Sequence, residues 1–208
     1  EYLHATKSRV RNQVWASLSH DGLGFPSLMV YRQDKQRPAL HEEQELHRLN
    51  GLKLQPENEW KSDIPPIVQH GDFRFALLVC SELTNISYRA ALRGKVDALF
   101  VPEWNQDTET FNALVESAAL DMHAYIIQCN DRQYGDSRIR APFKESWKRD
   151  VLRVKGGVTD YCVIGEIDVK VLRQFQSSYR SPGTTFKPVP DGFEIAYSRK
   201  VLPKGEAE

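Results

Sequence analysis

The sequence lacks the glycine-rich fingerprints of nucleotide binding. Neither Gly-x-Gly-x-x-Gly nor a Walker-type Gly-Lys-Ser/Thr occurs in its 208 residues, so phosphate cradling by backbone amides has no support. A Gly-x-Ser-x-Gly elbow is missing too, which removes the serine-hydrolase motif built on it. Cysteine is scarce: Cys80, Cys129 and Cys162 form no Cys-x-x-Cys pair, which argues against a zinc ribbon. An odd number of cysteines in apolar, strand-like runs points to a reducing compartment, hence the cytoplasm. Net charge is also absent, because 28 Lys+Arg balance 28 Asp+Glu. That balance gives no global case for nucleic acid or for an anionic membrane. No apolar run approaches the roughly 20 residues of a membrane span, and the opening Glu1 to Lys7 is not a signal peptide. The composition, 40% hydrophobic, reads as a soluble chain of one ordinary domain with a sizeable core.

What is present centres on residues 73–105. The apolar run Phe75 to Val79 has the composition of a strand buried on both faces. Polar residues and a helix-like segment closed by Gly94 follow, then a second apolar run from Ala98 to Val101. The pattern is a β-α-β unit of a parallel sheet. Cys80 therefore stands where a central strand leaves the sheet. Open α/β sheets carry their chemistry at that end, and a turn leading into a helix amino end favours a thiolate. The plain alternative is that Cys80 is a small buried hydrophobe.

Around this unit the chain divides into an amino-terminal polar segment (1–12), an α/β domain (13–180) and a carboxy-terminal loop and tail (181–208). Val14 to Leu18 and Leu28 to Tyr31 read as a hairpin, and Leu46 with Leu49 marks a helix ended by Asn50-Gly51. Residues 52–71, with three prolines, read as a functional loop or lid. Asp107 or Thr108 caps a helix running to about Met122, Ala124 to Cys129 is another buried strand, and Asp168 caps a last helix. Asp150 to Lys155 and Tyr161 to Ile167 are expected to be strands turned by Gly156-Gly157. Segment 132–155 is basic, with Arg132, Arg138, Arg140, Lys148 and Arg149 interleaved with Tyr134, Phe143 and Trp147. Such a run either binds nucleic acid by phosphate contact and stacking or is simply a solvated surface.

The order of these pieces resembles the carbon–nitrogen hydrolase family, the nitrilase and amidase superfamily, over roughly Val14 to Arg180. The likeness lies in Val79-Cys80-Ser81-Glu82, in Leu92-Arg93-Gly94, and in the strand Asp97 to Pro102. It continues in Ala124 to Asn130, in Gly135-Asp136-Ser137-Arg138-Ile139, and in Ile164 to Asp168. The resemblance implies a nitrilase-like α-β-β-α sandwich, incomplete at the amino end. It also implies a Glu-Lys-Cys triad with Cys80 as nucleophile, Lys35 as the lysine and Glu43 as a second glutamate, Glu42 close behind. Lys53 competes for the lysine role but reads as a loop residue. The family's general-base glutamate lies ahead of the first strand seen here, so the chain is expected to be part of a longer protein. Lys35 to Glu43 and Cys80 to Leu83 look most like a branch fused to bacterial antiviral reverse transcriptases.

What this implies is hydrolysis of a non-peptide amide or nitrile through a Cys80 thioester, with no metal and no organic cofactor. Lys35 lowers the thiol pKa and stabilises the oxyanion. The Ser81 N–H is a second oxyanion donor, and Glu103, Trp104, Asn105 and Asn130 line the pocket. The partners expected are a small amide or nitrile and a second copy of the chain, at least a dimer. The alternative is a non-catalytic docking or regulatory module of a larger nucleic-acid enzyme, with the basic segment on RNA or DNA.

Overall fold

The computed structural model describes residues 2–22, 24–159, 162–178 and 185–201. The chain forms two compact units, Glu1–Asp63 and Ile64–Glu208. The boundary falls within the proline-containing stretch 52–71 and divides what reads in sequence as a single domain over 13–180.

The first unit is a small sheet with one helix. Strands β1 (Tyr2–Thr6) and β3 (Phe25–Asp34) pair antiparallel with β2 (Arg9–Gly22), and β4 (Lys53–Leu54) runs parallel to its start. The hairpin expected near Gly24 is therefore present, with longer strands than the apolar cores alone indicate. Within residues 1–12, expected to be a polar lead-in, Tyr2–Thr6 form β1 and Arg9 onward opens β2, with Val10 buried there. Helix α1 (Leu40–Arg48) turns Leu46 inward and leaves Leu49 exposed.

The second unit carries a six-stranded sheet in the order β10-β9-β8-β7-β6-β5. Its centre is parallel: β6 (Phe73–Leu77), β7 (Ala98–Glu103) and β8 (Tyr125–Asn130). Crossovers through α2 (Ile86–Leu92) and α3 (Thr108–Met122) make this possible. The edges are antiparallel, with β5 (Val68–His70) on β6, then β9 (Ser137–Arg140) on β8 and β10 (Asp150–Val154) on β9. Asp107 caps α3 by accepting from Thr110 N, and Asp168 caps α4 (Val169–Ser177) by accepting from Val171 N. Ala98 and Tyr125, paired across β7 and β8, pack with Leu172 of α4 and with Phe186. The alternate residues Leu99, Val101 and Ile126 face the other way and are fully buried.

Two expectations fail here. The partner of β10 is β9, and residues 162–167 form no strand: Val163 and Ile164 are exposed. Tyr161 lies outside the described residues. Of the expected loop and tail, residues 181–184 and 202–208 lie outside the described residues; residues 185–201 have mostly loop backbone, as expected, but are packed down. Phe186 bridges to Phe143, and Phe193, Ile195 and Arg199 are buried. Gly94 admits this segment: its φ is +69°, and a Cβ there would fall 2.0 Å from Glu194 O. Arg199 donates to Gly94 O and, with Arg173, to the fully buried carboxylate of Asp97.

Candidate active site

Strand β6 ends at Leu77, slightly before the end of the apolar run, and Leu78 N still donates to Phe100 O at 3.0 Å. Cys80 then opens a short 3-10 turn, Cys80–Thr84, with φ of +52°. A left-handed conformation at a residue with a side chain is costly and persists only where the surroundings hold it. Glu82 does part of that holding. Its carboxylate, buried, accepts from Val79 N at 2.8 Å and closes the turn on itself. The acidic residue that marks the motif in sequence therefore has an identifiable structural task. Thr84 Oγ1 donates to Ser81 O at 2.7 Å, which pins the same turn. Cys80 itself is partly exposed, unlike the strand residues before it.

Lys35 belongs to the other compact unit, immediately past β3. Its side chain is 2% exposed, and Nζ donates to Glu42 Oε2 at 2.5 Å. Glu42 also accepts from Tyr2 Oη, Asn12 Nδ2 and Ala39 N. Burial alone would raise the Glu42 pKa, but the Lys35, Tyr2 and Asn12 bonds and the Lys35 charge outweigh it and hold the carboxyl below its usual range. Glu43, the expected second glutamate, is exposed. With α1 beginning at Leu40, it is Glu42 that occupies the third helical position, where a carboxylate folds back toward the cap, and Glu42 that meets Lys35. Lys53 lies in β4, paired with Arg9, and is exposed.

The residues expected to line a pocket separate by task. Trp104 is exposed and meets Tyr134 edge-on. Asn130 uses its whole amide on backbone: Oδ1 accepts from Asn105 N and Asp131 N, while Nδ2 donates to Asn105 O and Gly135 O. It clamps the two loops that follow β7 and β8 to each other. Glu103 is half-buried, accepts from Gln128 Nε2 at 2.5 Å, and has its pKa pushed up to about 7 by burial, against the lowering effect of Gln128 and Arg138.

The basic segment is mostly turned inward. Arg138 and Arg149 are buried, and Arg140 is nearly so. Glu116 of α3 takes both Arg140 and Arg149, while Asp150 and Asp136 face Arg138, Arg140 and Arg153. Of the expected nucleic-acid contacts, Arg132 and Lys148 are exposed. Arg132 donates to Val158 O, and Lys148 pairs with Glu145 and lies over the Trp147 ring. A phosphate-tracking stripe does not form from this set. Among the described residues no cluster of His, Cys, Asp and Glu could hold a metal, and no helix is long and apolar enough to cross a membrane.

No protein-family model and no curated protein matches the chain. Solved structures of the nitrilase superfamily do. An amidase of Nesterenkonia AN1, as a cysteine-to-alanine mutant, is 18% identical over 56% of this chain and 47% of its own, with a TM-score of 0.42. The same amidase in complex with butyramide gives 16% identity over 70% and 59%, with a TM-score of 0.44. Saccharomyces cerevisiae Nit3, a member of branch 10 of that superfamily, gives 15% over 61% and 44%, with a TM-score of 0.43. The chain spans about half the length of these structures. These matches do not support an association with a reverse transcriptase or with nucleic acid.

Proposed function

We propose that the chain is a carbon–nitrogen hydrolase-like domain in which Cys80 attacks a small non-peptide amide or nitrile. The observation that carries this reading is the left-handed backbone of Cys80 at the exit of a parallel strand, locked by Glu82. Strain of this kind, held in place by its surroundings, is characteristic of positions that present a reacting group.

In the proposed reaction the Cys80 thiolate adds to the carbonyl or nitrile carbon. For an amide, the tetrahedral intermediate expels ammonia or an amine and leaves a thioester, which water then cleaves to the acid. Lys35, dehydrated and charge-paired with Glu42, is suited to stabilise the oxyanion rather than to act as a base. The Ser81 N–H is the second oxyanion donor. Small aliphatic amides are the first substrates to test, and a homodimer or larger assembly is the form in which we expect the domain to work.

The test is hydrolysis of an amide and nitrile panel by the unaltered chain and by Cys80→Ala. Ammonia release by the former and none by the latter supports the reading. Equal release by both, or none by a correctly folded wild type from any substrate, contradicts it.

A further inference from the structure

Between α3 and strands β7 to β10 lies a polar seam that the proposed hydrolysis does not use. Across the sheet, Glu103 ends β7, Gln128 lies on β8, and Arg138 stands opposite Gln128 on β9. Gln128 is 2% exposed and Arg138 4%. Hydrogen bonding in this row is lopsided. Glu103 Oε2, Gln128 Oε1 and, on α3, Asn112 Oδ1 are buried acceptors that no described donor reaches. Arg138 Nη2 is a buried donor without an acceptor, its approach to Asp136 being 3.9 Å. Buried polar atoms left this way are costly. Because the excess is of acceptors, a proton added to the row repairs it more directly than rearrangement alone. A carboxyl that gains a proton turns one acceptor into a donor.

We propose that Glu103 and Gln128 form a proton-linked latch at the carboxyl end of β7. With Glu103 ionised, the Gln128 amide donates to it, as in the structure. With Glu103 protonated, the carboxyl O–H donates to the Gln128 carbonyl after the amide turns over. The charged surroundings are mixed in sign. Arg138 faces Glu103 from β9, with Asp136, Arg140, Asp150 and Arg153 arranged behind Arg138. From α3 come Asn112, bonded to Asp136, and Glu116, committed to Arg140 and Arg149. No unshared cation therefore holds Glu103 in its ionised form, and burial is the largest influence on it, raising its pKa to about 7. The latch bears on the candidate site because Glu103 leads directly into Trp104 and Asn105, the loop that Asn130 clamps.

The inference is independent of the chemistry at Cys80, and its test uses no substrate. In the full chain, the carboxyl carbon resonance of Glu103, assigned by its loss in Glu103→Gln, is followed against pH. A midpoint near 7 is expected. The proton is bound more tightly in the folded state, so stability falls as pH rises from the unfolded carboxyl range toward that midpoint. The melting temperature of the unaltered chain therefore drops from about pH 5 to about pH 8 relative to Glu103→Gln, which lacks the ionisation. A carboxyl midpoint below about 6 overturns the latch, and so do melting curves for the two proteins that stay parallel across that range.

Discussion

Replacing Asp97 by asparagine tests how the second compact unit is held closed. Asp97 is fully buried, and its carboxylate accepts from Arg74 N, from Arg173 and from two nitrogens of Arg199. Arg199 is buried as well, with remaining bonds to Gly94 O and Gln176 Oε1. The variant keeps the shape but leaves the Arg199 cation without its carboxylate. Breaking a buried pair in this way costs about 3–5 kcal/mol. At about 2–4 °C per kcal/mol for a chain of this size, the melting temperature falls on the order of 10 °C. The control is Glu145→Gln, whose partner Lys148 is, like Glu145 itself, largely exposed. That change costs at most about 1 kcal/mol. Burial alone would raise the Asp97 pKa, but the Arg173 bond, the Arg199 charge and the Arg74 N–H outweigh it and hold the carboxyl below its usual range. Its contribution is therefore full above the unfolded carboxylate pKa and is lost as pH falls through the lower folded value. Urea denaturation monitored by circular dichroism, at neutral and acid pH, reads both effects. If Asp97→Asn costs no more than Glu145→Gln at neutral pH, the carboxy-terminal segment is not anchored by this pair.

Two further predictions concern other parts of the chain. Glu42→Gln strips the counter-charge from a lysine that is 2% exposed and lowers stability by about 3 kcal/mol in urea denaturation, while Glu43→Gln stays within about 0.5 kcal/mol. Gly94→Ala combines a left-handed backbone with a Cβ 2.0 Å from Glu194 O and costs roughly 3 kcal/mol or more in the same assay. Gly71→Ala, also left-handed but with open space around it, costs about 1 kcal/mol.

The legible parts of this fold were those with local grammar. Asp107 and Asp168 cap the helices that their positions announce, and the Phe111, Val115 and Ala118 spacing gives the buried face of α3. The β6-α2-β7 unit follows from two apolar runs with Gly94 between them. Long-range partners were another matter. Residues 162–167 have strand composition, yet β10 already had β9 as its neighbour, and nothing local distinguishes the two choices. Phe193, Ile195 and Arg199 sit in proline-punctuated chain without periodicity, so their burial becomes visible only once Asp97 is in place. Arg138, Arg140 and Arg149 read as a basic surface because their acceptors, Glu116 on α3 and Asp150 on β10, are distant in sequence or share the same short stretch. For the candidate site, the Cys80 position at a strand exit was readable and its strained φ was not. Seeing that Lys35 pairs with Glu42 and not Glu43 needed the helix start to within one residue, which is the least certain boundary a sequence offers.

The most direct measurement is the order in which the cysteines react. Cys129 and Cys162 are exposed and Cys80 only partly so, so access alone would place Cys80 last. The native chain is treated at neutral pH with a limiting alkylating reagent, and each cysteine peptide is quantified by mass spectrometry. A thiol activated at its strand exit is labelled first despite its lower exposure. If Cys129 and Cys162 react first, and Cys80 reacts only after denaturation, the hydrolase account is contradicted.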